Sequence, residues 1–228
     1  MGSRRFDAVL IDFYGTIAAG DREAVEAACQ RVVQTCEVPV SAERFAVLWG
    51  ERYFATVEHS NHENYRTLYD CEQISLRETL ATFGREVDPT PFLVELEEYW
   101  HNPPVHSDAL DLLGELDLPV CCVSNADAVP LASAIARHRL RFDHVVSSQA
   151  VRCYKPDPVI FQAALDVLGV RAERVLHVGD SLHSDIRGAA GLGITAVWIC
   201  RQDRVHDIGN HPPDHTISSL AELTALLA

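Results

Sequence analysis

What most constrains this chain is where its short apolar runs stop. Residues 6–11 form one run, which ends at Asp12 with Tyr14-Gly15-Thr16 behind it. Residues 119–123 form a second, ending at Ser124-Asn125, and residues 174–178 another, ending at Gly179-Asp180. Runs of this length, bounded by Gly, Asn and Asp, read as buried strands followed by turns. Residues 143–148 and 194–200 read the same way, with 214–217 as a last strand. Segments with helical spacing lie between them: 107–116, 129–138, 158–168 stopped by Gly169, 185–191, and 219–227 capped by Ser218 or Ser219. Strands that alternate with helices build a parallel sheet covered on both faces. Residues 201–213 are polar and read as a loop.

Residues 21–101 break this rhythm. They are rich in Glu, Arg, Ala, Leu and aromatics, and no strand is expected among them. Asp21 is a plausible cap for a helix over 22–37, and Ser41 opens a second helix to about residue 59. A third is expected over 64–83 and a fourth over 90–100, with Pro89 and Pro91 near its start. The expected architecture is therefore α/β: a doubly wound, Rossmann-like parallel sheet formed by residues 1–18 and 103–228, with residues 19–102 inserted as a helical cap. Such an insertion hangs over the carboxyl ends of the strands, where open α/β sheets bind ligands.

The formal net charge of −14, from 33 acidic and 19 basic residues, argues against nucleic acid as a partner, because phosphate neutralisation needs clustered Lys and Arg. An anionic membrane surface is disfavoured for the same reason, and no apolar run reaches the roughly 18 residues of a membrane helix. A small anionic substrate is compatible, since a few local donors outweigh a distant field. The seven cysteines are scattered and form no C-x-x-C pair, which reads as reduced thiols in a cytoplasmic protein. The histidines offer no H-E-x-x-H or paired-Cys pattern, so a zinc site is not expected.

The residues with chemistry sit just past strand ends, on one rim of the sheet. Asp12 and Thr16 follow the first strand, Ser124 and Asn125 the second, and Asp180, Ser181 and Asp185 the fourth. Lys155 lies in the loop after the third. Each alone reads as a turn former or helix cap. In this order, as LIDFYGT, VSN, YKPDPVIF and HVGDSLHSDIRGA, they resemble the haloacid dehalogenase superfamily, in its branch with a helical cap after the first motif. The matching pieces span the core, about two thirds of the chain.

That resemblance implies Asp12 as a nucleophile that forms a covalent aspartyl intermediate, later hydrolysed by water. It implies Mg²⁺ held by Asp12, the backbone carbonyl of Tyr14 and Asp180, with Asp185 as a ligand through water or as an anchor. Ser124 and the Asn125 backbone would bind the transferring group, Lys155 would neutralise charge, and Thr16 would orient the nucleophile's loop. Tyr14 departs from the phosphatases of the superfamily, which carry a second Asp there as general acid; Tyr, with a pKa near 10, is a poor substitute. D-x-Y-G-T is instead similar to the L-2-haloacid dehalogenases, whose halide leaving group needs no proton and which need no metal. Those enzymes carry a serine–serine–asparagine pattern where this chain has Gly179-Asp180-Ser181, and a substrate-gripping Leu-Trp-Arg where it has Leu48-Trp49-Gly50. Arg52 is the nearest arginine that could replace the missing one.

The leading expectation is a Mg²⁺-dependent phosphatase acting on a small phosphorylated metabolite, as a monomer or homodimer. A metal-free 2-haloacid dehalogenase is the alternative, and a weakly active or non-catalytic ligand-binding protein a second alternative. The inserted helices would set the substrate, with Arg52, His59, His62, Tyr65, Arg66 and Tyr69 as their polar candidates. Tyr65 and Tyr69 share a face at i, i+4, as they also would in an ordinary amphipathic helix packed on the core.

Overall fold

The computed structural model describes residues 5–201 and 211–227. The apolar runs become β1 (Ala8–Ile11), β2 (Val120–Ser124), β3 (His144–Ser147), β4 (Val175–Gly179), β5 (Thr195–Ile199) and β6 (His215–Ile217). They pair in parallel throughout, in the order β3-β2-β1-β4-β5-β6. This is the expected Rossmann-like α/β sheet. The chain starts in the middle and winds outward in both directions, so the order reverses between β1 and β4 and opens a crevice there. Ile11 is in register with Cys122 on one side and Val178 on the other. Asp12, Ser124 and Asp180 therefore leave the sheet within about two residues of one another.

Along the chain, helices α1 (Asp21–Thr35), α2 (Ala42–Glu58), α3 (Leu68–Thr82) and α4 (Val94–His101) stand between β1 and the later strands. After α5 (Ser107–Glu115), strands alternate with α6 (Ala128–Arg137), α7 (Ser148–Val151), α8 (Pro158–Leu168), α9 (Arg187–Gly191) and α10 (Leu223–Leu227). Side chains alternate across the sheet, and each face has its own core. Val9, Ile11, Cys122, Val178 and Val197 pack under α5, α6 and α10, whereas Ala8, Leu10, Cys121, Val123 and Ala196 pack under α8 and α9.

The helices α1–α4 bury a separate apolar cluster that includes Val32, Phe45, Trp49, Leu76, Leu80, Leu96 and Trp100. Tyr154, from the loop before α8, joins it. A second tie comes from Asp127, whose Oδ1 accepts from Leu68 N at 2.9 Å and Oδ2 from Tyr69 N at 3.1 Å. All seven cysteines are unpaired; six are buried and Cys200 is exposed. No helix among the described residues is long and apolar enough to cross a membrane.

Several boundaries differ from the sequence expectation, each for a local reason. Asp21 is the first residue of α1 rather than its cap, which is Gly20 with φ 87°. Helix α3 begins at Leu68, where Thr67 and Asp70 form a reciprocal capping box. The segment 90–100 divides into a 3₁₀ turn over Thr90–Phe92 and helix α4. Helix α8 runs as expected, with Asp157 capping Val159 N and Gly169 closing it at φ 66°. Residues 202–210 of the expected loop lie outside the described residues.

Candidate active site

Strand β1 delivers Asp12 into the crevice, where it is 5% exposed. Lys155, 3% exposed, reaches in from the loop before α8. Its Nζ donates to Asp12 Oδ1 at 2.6 Å, to Asp185 Oδ1 at 2.7 Å and to the Val123 carbonyl at 2.9 Å. All three ammonium protons are thereby used. The loop that carries Lys155 is fixed by Asn125: Lys155 N donates to Asn125 Oδ1 at 2.7 Å, and Asn125 Nδ2 donates to the Lys155 carbonyl at 3.1 Å. Asn125 thus positions the lysine through its side chain, a role its place in the sequence does not announce.

Asp180 and Asp185 arrive from β4 and the turn after it. Leu182–Ile186 form a π-helical turn that brings Asp185 back beneath the strand end. Asp185 Oδ2 accepts from Ser181 N at 3.0 Å, and its Oδ1 lies 3.0 Å from His177 Nε2. Thr16 Oγ1 donates to Asp180 Oδ1 at 3.5 Å, and Trp198 Nε1 donates to the Asp180 carbonyl at 2.9 Å. Two glycines make this closeness possible. A Cβ at Gly15, whose φ is 89°, would lie 2.1 Å from Asp180 Oδ2. One at Gly179 would lie 2.2 Å from Asp185 Cγ. One ligand atom each from Asp12, Asp180 and Asp185 lies within 4.8 Å of the others.

The charges are unequal in character. Burial would raise Asp185, but Lys155 and His177 outweigh it and hold the carboxyl below the usual range. Burial, helped by Asp185, raises Asp12 from its ordinary value although Lys155 pulls the other way. Burial would lower Lys155, yet the two carboxylates keep it an ammonium, raised above the ordinary value. Three polar atoms in this network are buried without a hydrogen-bond partner: Asp12 Oδ2, Ser124 Oγ and His177 Nδ1.

Asp12, Thr16, Ser124, Asn125, Lys155, Asp180 and Asp185 are therefore brought to one crevice. Tyr14 is beside it but committed elsewhere: its hydroxyl donates to the Trp100 carbonyl at 2.6 Å. Burial, with Cys122 and Asp12 adding to it, pushes this phenol far above its ordinary value. Arg52 is not brought in. It lies on an exposed face of α2 and pairs with Glu78 Oε2 of α3 at 3.2 Å. The expectation that it grips substrate is corrected on that ground. His177 was not anticipated: it stands inside the apolar run of β4, fully buried, with its ring edge-on to Phe161 at 5.1 Å.

Beside Lys155 opens a cavity of about 660 Å³ between α2 and the core, lined among others by Tyr53, Asn61, Asn125, His183 and Arg187.

A family model described as haloacid dehalogenase-like hydrolase matches residues 6–193. The (S)-2-haloacid dehalogenase 4A of Burkholderia cepacia is 29% identical over 97% of this chain and 94% of its own length. A crystal structure of a dehalogenase with an intermediate complex superposes with a TM-score of 0.77 at 28% identity, covering 100% of this chain and 99% of that one. The L-2-haloacid dehalogenase of Xanthobacter autotrophicus shares the fold with a TM-score of 0.77 at 23% identity, covering 97% and 98%. These relatives overturn the leading expectation of a phosphatase and, with it, that of Mg²⁺ held by Asp12, Tyr14, Asp180 and Asp185. The site offers a physical reason. Lys155 already occupies one oxygen each of Asp12 and Asp185, and Ser181 the other oxygen of Asp185, so Asp185 has both oxygens committed within the chain. Nor does Tyr14 offer the proton that a leaving alkoxide requires. Residues 6–193 and the full-length relatives agree that the chain belongs to the haloacid dehalogenase-like hydrolases.

Proposed function

We propose that this hydrolase acts at carbon, displacing halide from a small 2-haloacid. The observation that carries the reading is the unequal use of the Asp12 carboxylate. Oδ1 is held by Lys155, while Oδ2 is buried with no hydrogen-bond partner. An oxygen stripped of solvent and left without a donor is the stronger nucleophile. It attacks the halogen-bearing carbon from the side opposite the halogen. The C–O bond forms, the C–halogen bond breaks, and halide leaves with its electron pair. No proton is needed, in keeping with a Tyr14 that has none to give.

The product of this step is an ester on Asp12. Lys155 moves no proton; it holds the nucleophile in place and stabilises the negative charge that returns to it. Water then attacks the ester carbonyl. Asp180, with a carboxylate oxygen within 4.8 Å of Asp12, is the group that takes its proton. As the tetrahedral intermediate collapses, the proton held on Asp180 passes to the departing alkoxide, which leaves as a 2-hydroxy acid, and Asp12 loses its remaining proton to solvent to regenerate the carboxylate. Ser124 Oγ, buried and unpartnered, is placed to donate to the substrate carboxylate. The helices 19–102 act as a cap over this site, and the setting is a cytoplasmic protein acting on a small anion.

The test is chloride release from 2-chloropropionate in the presence of EDTA. The wild type should turn over, and Asp12→Asn should lose about 10⁴-fold or more in kcat. In ¹⁸O-water under single turnover, label should enter Asp12 before it enters product. Because Asp12 must be ionised and burial raises it, kcat/KM should fall with acid through a value above the ordinary 3.9 or so. Absence of chloride at high enzyme concentration overturns the reading.

A further inference from the structure

We propose that His62, Cys153 and Asp157 form a zinc-class metal site that clips the helical block to the loop carrying Lys155. One ligand atom from each of the three lies within 4.8 Å of the others. The set is a thiol, an imidazole and a carboxylate, the donors that borderline divalent ions such as Zn²⁺ take three at a time, leaving a fourth position for solvent. It shares no residue with the Asp12 crevice.

Two of the ligands are already aimed. His62 Nε2 lies 3.0 Å from Asp157 Oδ2, while Asp157 Oδ1 is turned by its bond from Val159 N at 3.0 Å. The two chain segments are pinned to each other on both sides of the cluster. His62 N donates to the Arg152 carbonyl at 2.8 Å, and Tyr154 N donates to Asn61 Oδ1 at 2.7 Å. Cys153 lies between those two anchors, fully buried, with its own N–H on the Ser148 carbonyl at 3.0 Å. The His62 side chain is 57% exposed and that of Asp157 24%, so an ion can enter from solvent. Ligands of one tetrahedral zinc stand about 3.3–3.8 Å apart, so the cluster must close by roughly 1 Å. The exposed imidazole can supply most of that movement.

Binding exchanges one proton for the ion. Burial, and after it the Asp157 carboxylate, push the Cys153 thiol up to about 12, so the sulfur enters the coordination shell only by releasing its proton to water. The ion replaces that proton as the partner of sulfur and carboxylate, and it adds His62. Because His62 comes from the turn between α2 and α3 while Cys153 and Asp157 flank Lys155 by two residues, an occupied site ties the helices to the catalytic loop.

The experiment strips the protein with a chelator and titrates it with Co²⁺, then with Zn²⁺. A thiolate-to-cobalt charge-transfer band in the near ultraviolet, displaced by one equivalent of Zn²⁺ together with a rise in Tm, is the expected result. The carboxylates around Asp12 hold no sulfur and cannot give that band. Cys153→Ser should abolish it, and Cys200→Ser, at the exposed thiol, should leave it unchanged. His62→Ala, a surface change that leaves the core intact, should weaken Co²⁺ binding about 10-fold or more. The proposal is overturned if the wild type shows no thiolate band, if the band belongs to Cys200, or if affinity survives His62→Ala.

Discussion

The rim of the sheet and the interior of the helical block both bury polar side chains, but they do so in opposite ways. At the rim the buried groups are ionised: Lys155 touches two carboxylates, and His177 stands behind one of them. Inside the helical block a buried side-chain pair is neutral, with Trp49 Nε1 donating to Ser75 Oγ at 2.9 Å. The neutral bond completes a packed layer and asks little of its surroundings. The charged network concentrates three carboxylates and one ammonium where a strand order reverses, and it leaves Asp12 Oδ2 unsatisfied. The difference is one of charge: the rim gathers ionised groups, and this contact of the helical block pairs neutral ones.

Removing the ammonium tests that contrast most severely. Lys155→Met keeps the aliphatic stem but leaves Asp12 and Asp185 facing each other in a buried site. Loss of one partner from a buried pair costs about 3–5 kcal/mol, which urea unfolding at neutral pH should show. The pH dependence of the deficit follows from the signs. In the wild type Asp185 is depressed, so its contribution is present above the unfolded carboxylate value and lost as pH falls through the folded one. In the variant the carboxylates repel and are raised, so protonation relieves them. The gap between the two proteins should therefore narrow toward pH 4. A deficit that does not change with pH would mean that the lysine matters by packing alone.

A smaller effect is expected in the helical block. Ser75→Ala leaves the buried indole N–H of Trp49 without its acceptor, at a cost of about 1–3 kcal/mol. It should leave kcat and KM untouched; a changed KM would make this layer part of the site. The smallest effect belongs to Arg52→Ala. Its pair with Glu78 is exposed at both ends, and such pairs contribute below about 1 kcal/mol. KM for the 2-haloacid should not move, and a tenfold rise would reinstate Arg52 as a substrate ligand.

The sheet and its rim were legible because two signals coincide there. Short apolar runs end at Asp12, Ser124 and Gly179, and the residues after each end are ones that chemistry uses. Lys155 could be placed from the Lys-Pro-Asp-Pro turn and the helix it opens. His177 could not, since one polar residue in an apolar strand run carries no mark of what lies beneath it. The only available signal was the period of two, which puts it on the α8 face with Leu10 and Ala196. Nor could the direction of Arg52 be read, because it depends on how α2 meets α3. The choice between phosphorus and carbon was the hardest. Asp180 and Asp185 at phosphatase-like spacing suggested a metal; the relatives overturned that reading, and the coordinates show Lys155 bonded to Asp185 and Asp12.

The distribution of thiols has a practical consequence. Cys29, Cys36 and Cys71 lie in the helical layer, Cys121 and Cys122 in the central sheet, Cys153 in the loop before α8, and Cys200 at the surface. An alkylating reagent added during stepwise denaturation thus meets a built-in set of tags, one group per layer. The sequence in which their masses shift records which layer comes apart first, with no label introduced and no residue changed.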